Sequence, residues 1–131
     1  MTKAAALYNF FSGFTIPAYE ENTVYAMAEQ GQAPAYPYLT YEVKTGFFDM
    51  ENSLTINFTL WYRSTAWTAA NAKSQEISAA IGRRGVMLPV DGGRLWLRRT
   101  DGQWGENNGD ASDDMVKRLD HSVILNYYTN N

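Results

Sequence analysis

His121 is the single histidine of the chain, and cysteine is absent. Those two counts remove nearly every zinc arrangement, because zinc draws its protein ligands mainly from Cys and His. They also remove disulfides and thiolate nucleophiles, and they leave the redox compartment open. A general-base role for His121 needs a Ser, Asp or Glu arriving from elsewhere in the fold. The residue falls in the apolar phase of the last predicted strand, between Leu119 and Val123. A satisfied, half-buried histidine is the favoured account. Paired carboxylates such as Glu20 with Glu21, or Glu42 with Glu51, arise in any acidic sequence, and spacing alone does not give the separation that glycoside hydrolysis demands. The acidic stretch Asp101, Glu106, Asp110, Asp113 and Asp114 lacks the ligand spacing of a calcium hand and reads as a solvated loop. Neither the phosphate-cradling nor the dinucleotide-binding glycine motif occurs. No catalytic, cofactor-binding or metal-ligating residue is expected.

Arg94, Trp96 and Arg98 share one strand phase, opposite Leu95 and Leu97. An arginine–aromatic face can stack on bases and meet phosphates, or meet an acidic protein surface. The net charge of −3 disfavours sequence-general nucleic-acid binding, so protein contact is expected. Charge is segregated along the chain: residues 1–60 carry −4, residues 61–100 carry +5 and residues 101–131 carry −4. Such blocks suit head-to-tail self-association, unless the fold brings them together within one chain. Nine Tyr and four Trp point to aromatic contact area. The interface candidates are Trp61, Arg63, Arg94, Trp96, Arg98, Trp104, Asp110, Asp113 and Asp114.

The elements that position these residues are organised around residues 36–63. Leu54, Ile56, Phe58, Leu60 and Tyr62 alternate with Ser53, Thr55, Asn57, Thr59 and Arg63, which a pleated strand sorts onto two faces. Trp61 is the one large apolar residue on the polar side, covered by the next helix or offered to a neighbour. Leu39, Tyr41 and Val43 alternate with Thr40, Glu42 and Lys44, and the two runs are expected to pair antiparallel. Thr2 caps a helix running to Ser12, with Ala4, Leu7, Tyr8 and Phe11 on one stripe and Gly13 ending it. Phe14, Ile16 and Ala18 form a brief strand, held to an edge by Pro17. Residues 20–33 read as an excursion without periodicity. Pro34 and Pro37 keep the following approach extended. Residues 65–81 form an Ala-rich helix closed by Gly82 and Gly85, with Ile77 and Ile81 on one face. Val86–Val90 and Arg94–Thr100 are strands joined by Asp91-Gly92-Gly93. Residues 101–114 are an exposed loop, and Met115–Thr129 is the last strand. The expectation is one α+β domain over residues 1–131: a mostly antiparallel sheet, with the N-terminal helix and the Ala-rich helix packed on one face.

No stretch is long and apolar enough to span a membrane. The N-terminal apolar run is broken by Asn9, so no signal peptide is expected and a cytoplasmic product is.

The order of elements is familiar. A helix precedes Ile16-Pro17-Ala18-Tyr19 and then Pro37-Tyr38-Leu39-Thr40-Tyr41. A long amphipathic strand ending Trp61-Tyr62-Arg63 follows, then an Ala-rich helix and a hairpin with a basic aromatic strand. This resembles the tail-terminator (tail-completion) and neck proteins of long-tailed bacteriophages, across most of the chain. The resemblance implies a subunit that forms a ring, typically of six, on the last turn of the tail tube. Such a ring ends tube growth and offers a surface to the neck and head-completion proteins, with DNA passing through it. It implies no catalysis and no cofactor, and a location in the host cytoplasm during assembly and then in the virion. The alternative reading is a β-rich carbohydrate- or protein-binding module using Trp61, Trp96 or Trp104.

Overall fold

The structure is a computed structural model that describes residues 1–43, 53–100, 102–110 and 112–130. The expected turn between the two organising strands, with Lys44 and Glu51, lies outside the described residues, as does Asp101.

The alternating run at Leu54–Arg63 forms strand β3, and Tyr38–Tyr41 forms β2. They pair antiparallel, with Leu39 opposite Leu60 and Tyr41 opposite Phe58. β3 buries Ile56, Phe58 and Leu60 and turns Thr55 and Asn57 outward, as its period of two requires. β1 spans Ala18–Glu20 and lies parallel to β2 at the edge of the sheet. It begins later than the sequence suggests. Phe14 instead lies in a short 3-10 turn over Ser12–Phe14, and Thr15 behind it is left-handed (φ 66°), which prevents an extended run from Phe14.

β4 (Val86–Val90) and β5 (Gly93–Arg99) form the expected hairpin across Asp91-Gly92. Gly92 takes the positive φ that a tight hairpin turn needs. β7 (Asp113–Thr129) is 17 residues long and joins everything. One edge pairs with β3 from Val116 to Leu125. Its other edge takes β5 between Val123 and Thr129, and then β6 (Gly105–Asp110) between Lys117 and His121. The strand order is β1-β2-β3-β7-β5-β4, with β6 on β7. Residues 105–110 are therefore strand, where the sequence reads as loop. The ladder to β7 holds Gly-Glu-Asn-Asn-Gly-Asp extended, although these residues have low strand preference.

Two helices cover the inward face of this curled, mostly antiparallel sheet, giving an α+β fold. α1 (Lys3–Phe11) is capped by the Thr2 hydroxyl, which accepts from the Ala5 N–H at 3.1 Å. It buries Ala6, Leu7 and Phe11, and Phe11 stacks on Tyr41 with ring centroids 4.9 Å apart. Tyr8 is not on the buried stripe: it is exposed. α3 (Thr68–Ile81) buries Ala70, Ser74, Ile77 and Ile81 and ends at Gly82. Its other alanines are exposed, so close approach to the sheet depends on Ala70 and Ser74 rather than on an alanine-rich face. The helix starts three residues later than expected, because residues 64–67 form a bend in which Ser64 Oγ accepts from Ala66 N–H. Lys73 ties α3 to the 3-10 turn, donating to the Phe14 carbonyl at 2.7 Å and to Thr15 Oγ1 at 3.1 Å.

α2 (Glu21–Glu29) lies where the sequence shows no periodicity. The helix buries no side chain, so no apolar stripe is present to announce it.

Candidate interaction surface

The outward face of the sheet divides into two regions of opposite character. The first is a groove of about 750 Å³ floored by β2, β3 and β7 and walled by α2 on one side and residues 103–106 on the other. Its floor is the set that alternation turns away from the core: Thr40 on β2 with Glu42 just after it, Asn57, Thr59 and Trp61 on β3, and Arg118, Asp120 and Ser122 on β7. These side chains hold one another. Asp120 accepts from Thr59 Oγ1 at 2.9 Å, Asn108 Nδ2 at 2.6 Å and Arg118 Nε at 3.2 Å. Asn57 Oδ1 accepts from Ser122 Oγ at 2.7 Å, and Glu42 accepts from the Asn57 N–H at 2.7 Å.

Trp61 is half-buried at one end of this floor. Its ring lies nearly parallel to Tyr38 at 6.0 Å, and its Nε1 donates to Thr40 Oγ1 at 3.0 Å. Cover therefore comes from the neighbouring strand, not from the helix that follows it. The Arg118 guanidinium lies 5.8 Å from the indole centroid. Burial pushes the Tyr38 hydroxyl up to about 12, with Tyr36 adding to the effect.

The second region is the outward side of β5, where Arg94, Trp96 and Arg98 project as the spacing predicts. Arg98 lies over Trp96 at 4.2 Å and donates to Asn126 Oδ1 at 2.6 Å, which fixes both planes. Trp96 Nε1 donates to the Arg84 carbonyl at 2.8 Å, drawing the basic turn after α3 alongside. Met87, opposite Trp96 on β4, is 45% exposed. Arg83, Arg84 and Arg94 are exposed and form no ion pair among the described residues.

The remaining candidates lie elsewhere. Arg63 pairs with Asp113 at 3.4 Å, across the end of β3 and the start of β7. That contact neutralises part of the basic and acidic blocks within one chain. Asp110 sits in the β6–β7 turn, where the Ser112 N–H and hydroxyl hold its carboxyl below the usual range. Asp114 is exposed beside it. Trp104 is half-buried and packs on the core: its ring lies 5.6 Å from Phe58 and 4.9 Å from His121, and its Nε1 donates to the Ser74 carbonyl at 3.2 Å. It therefore contributes little free aromatic face.

His121 is fully buried (3% exposed) rather than half-buried as expected, and among the described residues it is satisfied at one nitrogen only. The reason is its place: it lies flat on Phe58 beneath α3, with ring centroids 4.4 Å apart and planes within 2°. Its Nε2 is 2.7 Å from the Ser74 hydroxyl, which is also buried. Burial lowers its pKa to about 4, against the opposing pull of the backbone at Phe58 and Leu119 and of the Asp120 carboxylate. The partner is a buried hydroxyl on α3, and the ring borders the groove from its inner side, beside Trp104 and Gly105. Strand phase identified the histidine; nothing in the sequence identifies Ser74, which arrives from a helix 47 residues away.

Among the described residues no group of three or more His, Asp or Glu side chains converges to hold a metal ion. No helix among them is long and apolar enough to cross a membrane. Compared with known protein families and with curated proteins, the sequence matches none.

Proposed function

We propose that this chain is a structural assembly subunit of the phage tail-terminator or neck kind. Copies join head to tail into a ring, with six as the working number, that caps a tail tube and meets the head-completion protein above it. The mechanism is geometric and involves no catalytic step. The observation that carries the reading is the division of one sheet face into a basic aromatic region at β5 and an acidic-rimmed groove at β2, β3 and β7. A cyclic ring requires two different, complementary patches on each subunit, whereas a two-fold dimer requires one self-complementary patch. The order of elements supports the same reading through its resemblance to tail-terminator proteins. The site of action is then the host cytoplasm during assembly, and afterwards the virion.

Electron microscopy of the purified protein mixed with tail tubes tests this. Rings seated on tube ends, with tube length capped, are the expected result. A strict monomer that never associates with tube ends overturns it.

A further inference from the structure

α2 is the element that its own chain does not account for. It is nine residues long and has no buried side chain. Isolated helices shorter than roughly 12–15 residues are marginal in water, and most helical stability comes from packing an apolar face. Here Val24 and Met27 are only half-covered and Tyr25 is 62% exposed. The side of α2 bearing Val24, Tyr25 and Ala28 faces the groove, leaving about 750 Å³ open between the helix and the polar floor. Among the described residues its lining carries Glu21, Glu42, Glu106 and Asp120 against Arg118 as the single Lys or Arg. The slot is thus apolar on its helical wall and negative on its rim.

We infer, building on the reading of the chain as a ring subunit, that this slot receives the Arg84–Arg94–Trp96 surface of a second copy. The occupant is selected by charge and shape. Arg84 and Arg94 are exposed cations without an ion pair among the described residues, and Glu21 and Glu106 are exposed carboxylates without one. Trp96 offers a flat apolar surface between the arginines, suited to the Val24–Tyr25–Ala28 wall. Arg98 stacks on the indole and fixes its plane before contact, which lowers the entropy cost of docking. One chain cannot fill its own slot. Asp120 in the groove and Asn126 beneath Arg98 are six residues apart on β7, or about 20 Å at the usual rise of a strand. Both belong to one hydrogen-bonded sheet. The contact therefore runs from one copy to the next and orders α2 as it forms.

Charge exchange tests the contact. One variant carries Arg84→Glu with Arg94→Glu, and the other carries Glu21→Lys with Glu106→Lys. All four positions are exposed, so circular dichroism should show both variants folded. Sedimentation velocity of the wild type is expected to show association that weakens about tenfold or more between low and high salt, as screening removes the attraction. Each variant alone should remain monomeric, and an equimolar mixture should associate again. Association unchanged by both reversals overturns this contact while leaving tube capping by some other surface intact. A wild type that stays monomeric at millimolar concentration yet binds a basic peptide in the slot also overturns it, and assigns the slot to a different protein. Failure to cap tubes in the separate microscopy assay, with self-association and charge rescue intact, removes the tail reading and keeps the contact.

Discussion

Ser74 Oγ and His121 Nε2 stand 2.7 Å apart where α3 crosses β7, and both residues are buried. Among the described residues the imidazole's other nitrogen, Nδ1, has no hydrogen-bond partner. A neutral ring tolerates this arrangement far better than a charged one, because a charge taken out of water needs compensation.

The folded pKa of about 4 lies below the ordinary 6.5, so the unfolded chain binds more protons between those values. Stability from this group is therefore complete above pH 6.5 and is lost as pH falls towards 4, by about 3 kcal/mol at most. Urea denaturation at a series of pH values should show the decline. His121→Gln should flatten it, at a lower overall stability. An identical pH slope in the variant would show that other groups drive acid unfolding.

Trp104 is expected to behave as a core residue. Trp104→Ala should cost about 3 kcal/mol, from lost contact with Phe58 and His121 and from the lost hydrogen bond to the Ser74 carbonyl. Trp104→Phe keeps the packing and should cost about 1 kcal/mol. Both values come from equilibrium unfolding. Equal, negligible costs would place the indole outside the core.

Two glycines on strands that each pair with β7 should respond differently. A Cβ at Gly93 would lie 2.0 Å from the Tyr128 carbonyl oxygen, a backbone atom that cannot move aside without breaking the β5–β7 ladder. Gly93→Ala should cost more than about 2 kcal/mol. At Gly109 nothing lies within 4 Å, and Gly109→Ala should fall within about 0.5 kcal/mol of wild type. Thermal melts of the two variants decide this, and similar melting temperatures would refute the register assigned to β5.

Trp96→Ala should weaken self-association about tenfold or more while shifting the melting temperature only by a few degrees. Its ring is half-exposed, and its hydrogen bond goes to the turn at Arg84 rather than into the core. Parallel sedimentation and calorimetry separate the two effects. Loss of the thermal transition would instead assign the side chain to folding.

Legibility in the sequence followed burial. The strands that bury one face, β3 and the Leu119–Tyr127 part of β7, announce themselves by alternation, and that phase alone puts His121 on the inward face. The hairpin at Asp91-Gly92 is legible for a different reason, since its turn needs a residue tolerant of positive φ. α2 was not legible because none of its side chains is buried, which leaves no periodic stripe to read. β6 was hidden because its Gly and Asn residues are extended only by pairing with a strand that comes later in the chain. The candidate surface was half visible: spacing predicts the Arg94–Trp96–Arg98 face. The groove opposite it depends on Thr59 meeting Asp120, a contact across 61 residues that local pattern does not carry.

The long reach of β7 also dictates the order of events during folding. It forms the seam between the β2–β3 pair and the β4–β5 hairpin, and it follows both in the chain. Until residues 113–129 have been made, those two units have no strand to join them, and their inner edges stand open. Non-local closure of this kind is slow, and open strand edges invite aggregation. A chain stopped before residue 113 should therefore be insoluble, even though most of its core side chains are present.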